Sequence, residues 1–341
     1  MTKPVRIAIV GCGAVTERFH LPALQKLGWP AALLVDPNLG RAQMLSERFD
    51  ANGAAAEFRE QLDAFDAAIV AVPHVLHEPV CADLLRRGKH VLVEKPLATT
   101  TAECESILAA QTSPRTVLAV GLMRHFWYSL RWVKSLLDSG GLGRVESFDF
   151  REGSIYDWPI ASDFMFRKEK AGGGALIDVG AHTLDLLLWW LGDVAEVEYY
   201  DDDYGGVEAD ALLELAMASG ARGTVEVSRT RMLRNTAILR GTRGTLEIAL
   251  HANRVRANPP SLLKIATAAG RGSGFAPQGY HDLFVSQLQD WLAAIECSQR
   301  PSVSGESAAR SVALIERCYR SRRPLKLSWM APAEPAGVAP E

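Results

Sequence analysis

The 341-residue sequence has few cysteines and no pattern that would join them. They are odd in number and widely scattered, and none forms a Cys-x-x-Cys pair: Cys12, Cys81, Cys104, Cys297 and Cys318. Such usage excludes a disulfide framework and the common spacing of a zinc site, so we expect no metal. A reduced, cytoplasmic protein fits it best.

The sequence also lacks an excess of either charge, with 37 basic and 40 acidic residues and a formal net charge of −3. We therefore expect neither nucleic acid nor an anionic membrane surface as a partner. No signal peptide is visible, and His182 and Asp185 interrupt the most apolar stretch, so we expect no membrane span. The length and the 48% hydrophobic share predict a soluble protein of two domains.

The N-terminal half alternates apolar strand-like segments with helical segments. The predicted strands cover residues 5–10, 31–35, 67–72, 90–93 and 116–120. This alternation is typical of a doubly wound parallel sheet of the Rossmann type, which we assign to residues 1–121. Ligands of such sheets bind at the carboxyl ends of the strands.

The first predicted strand ends in a glycine-rich turn that leads into a helix: Gly11, Cys12, Gly13, Ala14 and Val15. Such a turn lets the backbone approach a pyrophosphate at the N-terminus of the helix. The second strand ends at Asp36, at the spacing expected of an acid that binds ribose. A carboxylate there repels a 2′-phosphate and no arginine follows at once, which favours NAD over NADP. The alternative for Asp36 is a turn residue before Pro37.

Two later strands end at residues suited to a site on the same edge of the sheet. One stops at Val72 and Pro73, shortly before His77, and the other stops at Glu94-Lys95-Pro96. A lysine at a strand end is well placed for chemistry, and the proline after it can take a cis peptide bond. A surface lysine is the alternative.

After residue 122 the pattern changes to strands joined by short links. They cover residues 145–155, 194–200, 209–217, 223–228, 237–239 and 245–248. They predict an α+β domain, residues 122–330, with a large, mostly antiparallel open sheet. Helices on one side of such a sheet leave an apolar face uncovered, so we expect a homodimer or homotetramer. Residues 331–341 are rich in proline and alanine and predict a disordered tail.

One predicted helix of this second domain carries a narrow ionisable stripe. Residues 175–191 contain no Lys, Arg or Glu, and Asp178, His182 and Asp185 fall at positions i, i+4 and i+7. Buried ionisable groups are costly unless they are paired or used. The stripe therefore predicts either catalysis or a His–Asp pair that satisfies a core cavity.

The glycine turn, Glu94-Lys95-Pro96 and Asp178-x-Gly180-x-His182-x-x-Asp185 follow one another along the chain. Together they resemble the glucose-fructose oxidoreductase, inositol dehydrogenase and rhizopine-catabolism (Gfo/Idh/MocA) family, over most of the chain. The resemblance implies a Rossmann domain followed by an open-sheet domain. It also implies a dehydrogenase or reductase that uses NAD or NADP on a CH–OH group of a sugar, cyclitol or nucleotide-sugar.

The resemblance assigns the catalytic roles to Lys95, Asp178 and His182. His182 would be the base, since its ordinary pKa is about 6.5. Asp178 would orient its imidazole, and Lys95 would stabilise charge on the reacting oxygen. The predicted cofactor contacts are Gly11, Cys12, Gly13, Ala14, Val15, Asp36, Val72, Pro73, His77, Glu94, Lys95 and Arg124. The predicted substrate contacts are Lys95, Arg124, Tyr156, Trp158, Arg167, Asp178 and His182.

Several alternatives stay open on sequence alone. Tyr156, Trp158 and Arg167 are as well explained by loop packing. A glycosidase that uses NAD on the same fold, and a non-catalytic NAD(P)-sensing protein, are the other functions considered. The intact set of Lys95 and His182 with Asp178 favours an enzyme over the sensing protein.

Overall fold

A computed structural model describes residues 4–159 and 163–325, and the predicted tail at 331–341 lies outside these residues. The first half forms a parallel sheet in the order β3-β2-β1-β4-β5-β6. Its strands are Ile7–Val10 (β1), Leu33–Val35 (β2), Ala54–Ala55 (β3), Ala67–Val70 (β4), His90–Val93 (β5) and Leu118–Val120 (β6). Every residue of β1, β2 and β4 is buried, as expected of strands covered on both faces. This confirms the doubly wound sheet.

Four α-helices lie between these strands, and two of them begin at a residue that caps the first turn. They are α1 (Leu21–Lys26), α2 (Leu39–Arg48), α3 (His77–Arg86) and α4 (Thr101–Ala110). A π-helical turn at Thr16–His20 leads into α1. Asn38 caps α2 through its side chain, and Thr100 with Glu103 forms a capping box on α4.

The second half is built on a larger sheet in the order β13-β12-β11-β7-β10-β9-β8-β14. Its strands are Val145–Gly153 (β7), Val194–Asp201 (β8), Asp210–Met217 (β9), Arg222–Ser228 (β10), Thr236–Gly241 (β11), Gly244–Ala249 (β12), Val255–Asn258 (β13) and Arg322–Pro324 (β14). The pairs β7–β10 and β8–β14 are parallel and the other pairs are antiparallel. The prediction of a mostly antiparallel sheet is confirmed.

The helices of the second half are α5 (Tyr128–Asp138), α6 (Lys168–Ala171), α7 (Ala181–Leu191), α8 (Tyr280–Cys297) and α9 (Gly305–Arg320). Helices α8 and α9 both contact the first domain. Asp282 of α8 accepts a hydrogen bond of 2.6 Å from Lys26 Nζ, and Glu316 of α9 accepts one of 3.1 Å from the amide of Thr101. The two domains are therefore held together at their sides as well as by the connection near residue 122.

The helical run Lys168–Leu191 is long and apolar enough to cross a membrane by length and composition. The expectation that no such run exists is wrong on that count. However, 78% of its apolar window is buried inside the protein. The run is thus the core helix of the second domain, where Phe150 and Trp190 bring their ring centroids to 5.9 Å.

The face of the larger sheet that helices leave uncovered is not apolar, which corrects the physical reason given for an oligomer. Phe148 and Phe150 point to the covered face, whereas Asp149 and Arg151 alternate with them on the open face. Asp149 accepts hydrogen bonds of 3.3 Å from Arg151 Nε, and its other oxygen lies 2.8 Å from Arg234 Nη2. Side chains of a strand alternate between the two faces, so Asp149 and Arg151 both reach this side.

Candidate active site

The helix with the ionisable stripe begins at a buried carboxylate that the sequence did not reveal. Glu208 accepts hydrogen bonds of 2.9 Å from the amides of Gly174 and Leu176, and one of 2.8 Å from the hydroxyl of Tyr319. A Cβ atom on Gly174 would lie 1.9 Å from the carbonyl oxygen of Glu208, so glycine is required there. This contact fixes the start of the π-helical turn Leu176–Gly180, which continues as α7.

Asp178, on that turn, holds a cation on each side. Lys95 Nζ donates to its Oδ1 at 2.5 Å and to its carbonyl oxygen at 3.2 Å, while Arg229 Nη2 donates to Oδ2 at 2.7 Å. Burial alone would raise the pKa of Asp178, but the charges of Lys95 and Arg229 outweigh it and hold the pKa well below its usual value. Lys95 comes from the first domain, where its peptide bond to Pro96 is cis. The site therefore lies between the domains.

His182, one turn further on, is 8% exposed. Within the described residues its buried Nδ1 has no hydrogen-bond partner. Burial lowers the pKa of His182 well below its usual value, and the nearby charges of Arg124 and Lys95 lower it further, so the ring is neutral. The predicted orienting role of Asp178 does not match this geometry, because the carboxylate bonds Lys95 and Arg229 whereas Nδ1 of His182 has no partner among the described residues.

Asp185, the third residue of the stripe, serves packing. Its Oδ2 accepts a hydrogen bond of 2.6 Å from Nε2 of His125, whose ring stacks on Trp189 with centroids 4.0 Å apart. Both partners are buried. The alternative of a buried His–Asp pair that serves packing thus holds for Asp185. Its histidine is His125 and not His182.

Arg124 is 4% exposed and is held by Glu152 through two hydrogen bonds, of which that from Nη1 is 2.8 Å. Glu152 also accepts a hydrogen bond of 2.5 Å from Thr183 and lies 2.7 Å from Nε2 of His251. Burial opposes ionisation of Glu152, but the charge of Arg124 outweighs it and keeps the pKa well below its usual value. Glu152 was missed, although the alternation of β7 places it on the same inward face as Phe150.

The loop residues predicted to contact substrate fall in three different places. Tyr156 lies at the site, with the guanidinium of Arg229 5.4 Å from its ring centroid. Trp158 stacks on Phe19 of the first domain, with ring centroids 5.9 Å apart. Arg167 is brought instead into an exposed ion pair with Asp163. Only Tyr156 therefore joins the cluster around Asp178.

The glycine turn and Asp36 form the second part of the site. Gly11 has a φ of +103°, and a Cβ atom there would lie 2.3 Å from the carbonyl oxygen of Ala71. Around Gly13, by contrast, a Cβ atom would meet no described atom within 4 Å. Asp36 lies at the end of β2, where its carboxylate accepts hydrogen bonds of 2.8 Å from the amide of Cys12 and 2.9 Å from that of Asn38.

These groups match the chemistry of a dinucleotide. The first amides of a helix have no partner within it, so those after Gly13 can donate to a pyrophosphate in the open space there. Asp36 retains acceptor capacity for ribose hydroxyls, since each carboxylate oxygen can accept more than one hydrogen bond. Residues Gly11 to Val15 and Asp36 would hold the cofactor.

His77 does not lie where the prediction of a cofactor contact requires. Its ring is 0% exposed, with Nδ1 2.8 Å from the carbonyl oxygen of Pro96 and Nε2 3.0 Å from that of Val72. His77 thus links the segments that follow β4 and β5, and it helps to hold the backbone next to Lys95 in place. Glu94 is also held within the protein, where Nε2 of His20 lies 2.8 Å from its Oε1.

Two family models cover most of the chain. The model described as "Oxidoreductase family, NAD-binding Rossmann fold" (GFO_IDH_MocA) matches residues 5–122. The model described as the "GFO/IDH/MocA C-terminal domain" matches residues 130–247. The two matches fall on the two domains described above.

Similar proteins extend over nearly the whole length. The chain is 27% identical over 326 residues to dTDP-3,4-didehydro-2,6-dideoxy-alpha-D-glucose 3-reductase of Actinomadura kijaniata, covering 92% of this chain and 94% of that protein. It is 26% identical to scyllo-inositol 2-dehydrogenase (NAD(+)) of Bacillus subtilis, covering 89% and 90%. Levoglucosan dehydrogenase in complex with NADH shares the fold, with a TM-score of 0.80 at 21% identity over 94% of this chain and 98% of that one. The chain belongs to the Gfo/Idh/MocA family of NAD-binding oxidoreductases.

Proposed function

We propose that this oxidoreductase acts on a secondary hydroxyl group, or the matching ketone, of a sugar, cyclitol or nucleotide-sugar. The observation that carries the proposal is a buried histidine one turn from a carboxylate held between two cations, where the two domains meet. The similar proteins named above carry the names of sugar and cyclitol dehydrogenases or reductases, which supports the substrate class.

His182 is the base in this proposal. When bound, the nicotinamide supplies the acceptor or donor of the hydride, so the chain itself must manage the proton of the hydroxyl. The Nε2 atom of His182 is the candidate proton acceptor, because Nδ1 is wholly buried. A neutral imidazole can accept that proton, and the reverse transfer assists reduction of the ketone.

Lys95 binds the reacting oxygen. Its ammonium group has three donors, of which two are directed at Asp178, so one remains for the oxygen of the substrate. A cation at that position stabilises negative charge as the proton leaves. Asp178 acts by positioning Lys95, since both oxygens of its carboxylate are already held by Lys95 and Arg229.

A panel of sugars, cyclitols and nucleotide-sugars, each incubated with the protein and NAD or NADH, tests the proposal. We expect at least one of these classes to give production or consumption of NADH that the His182→Ala variant does not support. A protein that binds NADH but turns over no member of any class would favour the non-catalytic alternative.

Arg229 is a positioning residue that the sequence analysis did not find. It is 8% exposed, and its loss would leave Asp178 free to turn away from Lys95. We expect Arg229→Gln to lower kcat by roughly tenfold or more, the value of one hydrogen bond to a charged group. Arg229→Lys should recover part of the loss, because it restores the charge.

The control for Arg229 is Arg234→Gln, which removes a similar ion pair from the open face of the sheet. Steady-state kinetics should show a normal kcat for Arg234→Gln. If Arg229→Gln lowers the melting temperature and leaves kcat and its pH profile unchanged, the role of Arg229 is structural.

We propose further that the protein is a homodimer or homotetramer. The open face of the larger sheet carries both signs of charge, as in Arg151 with Glu226 and Arg256 with Glu247. A mixed surface of this kind can pair with its own copy across a two-fold axis. Light scattering at micromolar concentration should give a multiple of 37.1 kDa that falls at high salt. A monomer at low salt would contradict the proposal.

We propose a cytoplasmic location because the cysteines are free thiols. All five, each within the described residues, are free, and all but Cys297 are buried. Thiols persist in the reducing conditions of the cytosol.

A further inference from the structure

Beside the ribose-binding acid lies an arginine that the sequence analysis did not expect. Arg41 is on the first turn of α2, which carries it back over the glycine turn. Its Nε donates a hydrogen bond of 3.1 Å to the carbonyl oxygen of Cys12. The amide of the same Cys12 donates to Asp36. A guanidinium group and the carboxylate of Asp36 therefore flank one residue of the turn, although no arginine directly follows Asp36 in the sequence.

Arg41 is not free, because Glu17 binds it. Glu17 lies on the π-helical turn that follows the glycine turn, and it accepts a hydrogen bond from Nη2 of Arg41. Its other oxygen accepts one of 2.5 Å from Nη1 of Arg48, near the end of α2. The side chains of Glu17 and Arg41 are 26% and 28% exposed, so solvent and small ligands can reach the pair.

This carboxylate stays charged at neutral pH. The hydrogen bond from Arg41 lowers the pKa of Glu17, with a smaller contribution from the charge of Arg48. A carboxyl group already ionises near pH 4.3 without such partners. Glu17 therefore pairs with both guanidinium groups and offsets one of their two positive charges across the whole pH range in which the enzyme would work.

An arginine near the acid at the end of the second strand is the feature by which Rossmann proteins accommodate the 2′-phosphate of NADP. A guanidinium group binds phosphate best through two parallel hydrogen bonds, which neighbouring N–H donors must point at the phosphate together. In this chain Glu17 occupies a terminal donor of Arg41, and its negative charge would itself repel a phosphate.

We propose that Glu17 is a second determinant of the preference for NAD, acting with Asp36. Asp36 repels the 2′-phosphate directly. Glu17 withholds from it the two arginines, Arg41 and Arg48, that would otherwise bind it. The chain thus contains cations suited to an NADP site, but both are engaged by one carboxylate from the adjacent helix turn. The proposal concerns binding of the dinucleotide and is independent of the identity of the substrate.

Titration of Glu17→Gln with NADH and NADPH, followed by nucleotide fluorescence, tests this without any turnover. We expect the ratio of the two affinities to shift toward NADPH by roughly 3–30-fold, somewhat below the full value of a charge-assisted hydrogen bond because the site is partly exposed. The shift should be larger in the Asp36→Ala background, where the direct repulsion is also gone, and it should shrink at high salt.

A third variant separates release of the arginine from simple loss of a negative charge. Arg41→Gln, added to Glu17→Gln, should remove most of the gain in NADPH affinity. The matched control is Asp83→Asn, because Asp83 also bridges two arginines, Arg59 and Arg87, but lies near the C-terminal end of α3. It should leave the ratio unchanged.

Folded Glu17→Gln protein whose ratio equals that of the wild type, in both backgrounds, would overturn the proposal. A gain that survives Arg41→Gln in full would also overturn it, since the arginine would then have no part. Melting temperatures identify any variant that fails to fold, and Glu17→Ala then replaces Glu17→Gln in the same titration.

Discussion

Replacement of His182 by alanine is expected to lower kcat by roughly 10²–10⁴-fold, the usual contribution of a positioned general base. Binding of NADH should be nearly unchanged, because the glycine turn and Asp36 that would hold it belong to the other domain. Steady-state kinetics and a nucleotide titration on the same preparation measure both quantities. The control is His90→Gln, which should leave kcat unchanged. His90 is the first residue of β5 and so lies at the end of the strands opposite the site.

The pH profile gives this prediction a signature that loss of stability cannot imitate. The folded state holds His182 neutral with a lowered pKa, so the base stays unprotonated well below the ordinary histidine range. The acidic limb of kcat/KM should therefore lie below about pH 6.5 and disappear in the variant. A stable His182→Ala protein with normal kcat would end the catalytic interpretation of this helix.

Replacement of Lys95 by alanine is expected to lower kcat by roughly 10²–10³-fold, comparable to the loss of one donor that stabilises negative charge in a transition state. The fold should survive, since Asp178 keeps its hydrogen bond to Arg229. KM should also change, because Lys95 is proposed to bind the reacting oxygen of the substrate. Kinetics of the variant, with its melting temperature, provide the test.

Asp178→Asn distinguishes the two roles considered for Asp178. If Asp178 acts through Lys95, the double variant Lys95→Ala/Asp178→Asn should be little worse than Lys95→Ala alone, since the two act as a unit. Fully additive losses, together with a shift of the acidic limb in Asp178→Asn alone, would instead indicate that Asp178 orients His182.

The fold followed closely from sequence patterns because the patterns are local. Helix α4, for example, begins at a local signal, since Thr100 and Glu103 form a capping box. The six strands predicted with bounds in the second sheet lie within about two residues of the observed ones, because their alternation is regular. The short strands β3 and β14 were not predicted, because a segment of two or three residues is too short to show an alternating hydrophobic pattern. The open face was judged apolar, although the charged residues of β7 already indicated the contrary.

The main residues of the site were predicted from the sequence, but the hydrogen-bond partner of each residue was not. Lys95, Asp178 and His182 do come together, but the choice of partners depends on side chains far apart in sequence. Arg229 reaches Asp178 from the end of β10, and no local pattern distinguishes it from Arg231 beside it. Glu208 likewise caps the helix from a distant loop. Arg41 was overlooked because only the residues directly after Asp36 were considered, whereas α2 folds back over the turn.

The central claim is that the cleft catalyses net hydride transfer between substrate and nicotinamide. The most direct test uses a substrate identified in the panel, deuterated at the carbon that bears the reacting hydroxyl, with NAD in excess. The account predicts one NADH for each ketone formed, with the deuterium retained on the nicotinamide ring. Cleavage of a glycoside with no net NADH, and with the deuterium returned from the nicotinamide to the same carbon of the product, would contradict it and favour the NAD-dependent glycosidase.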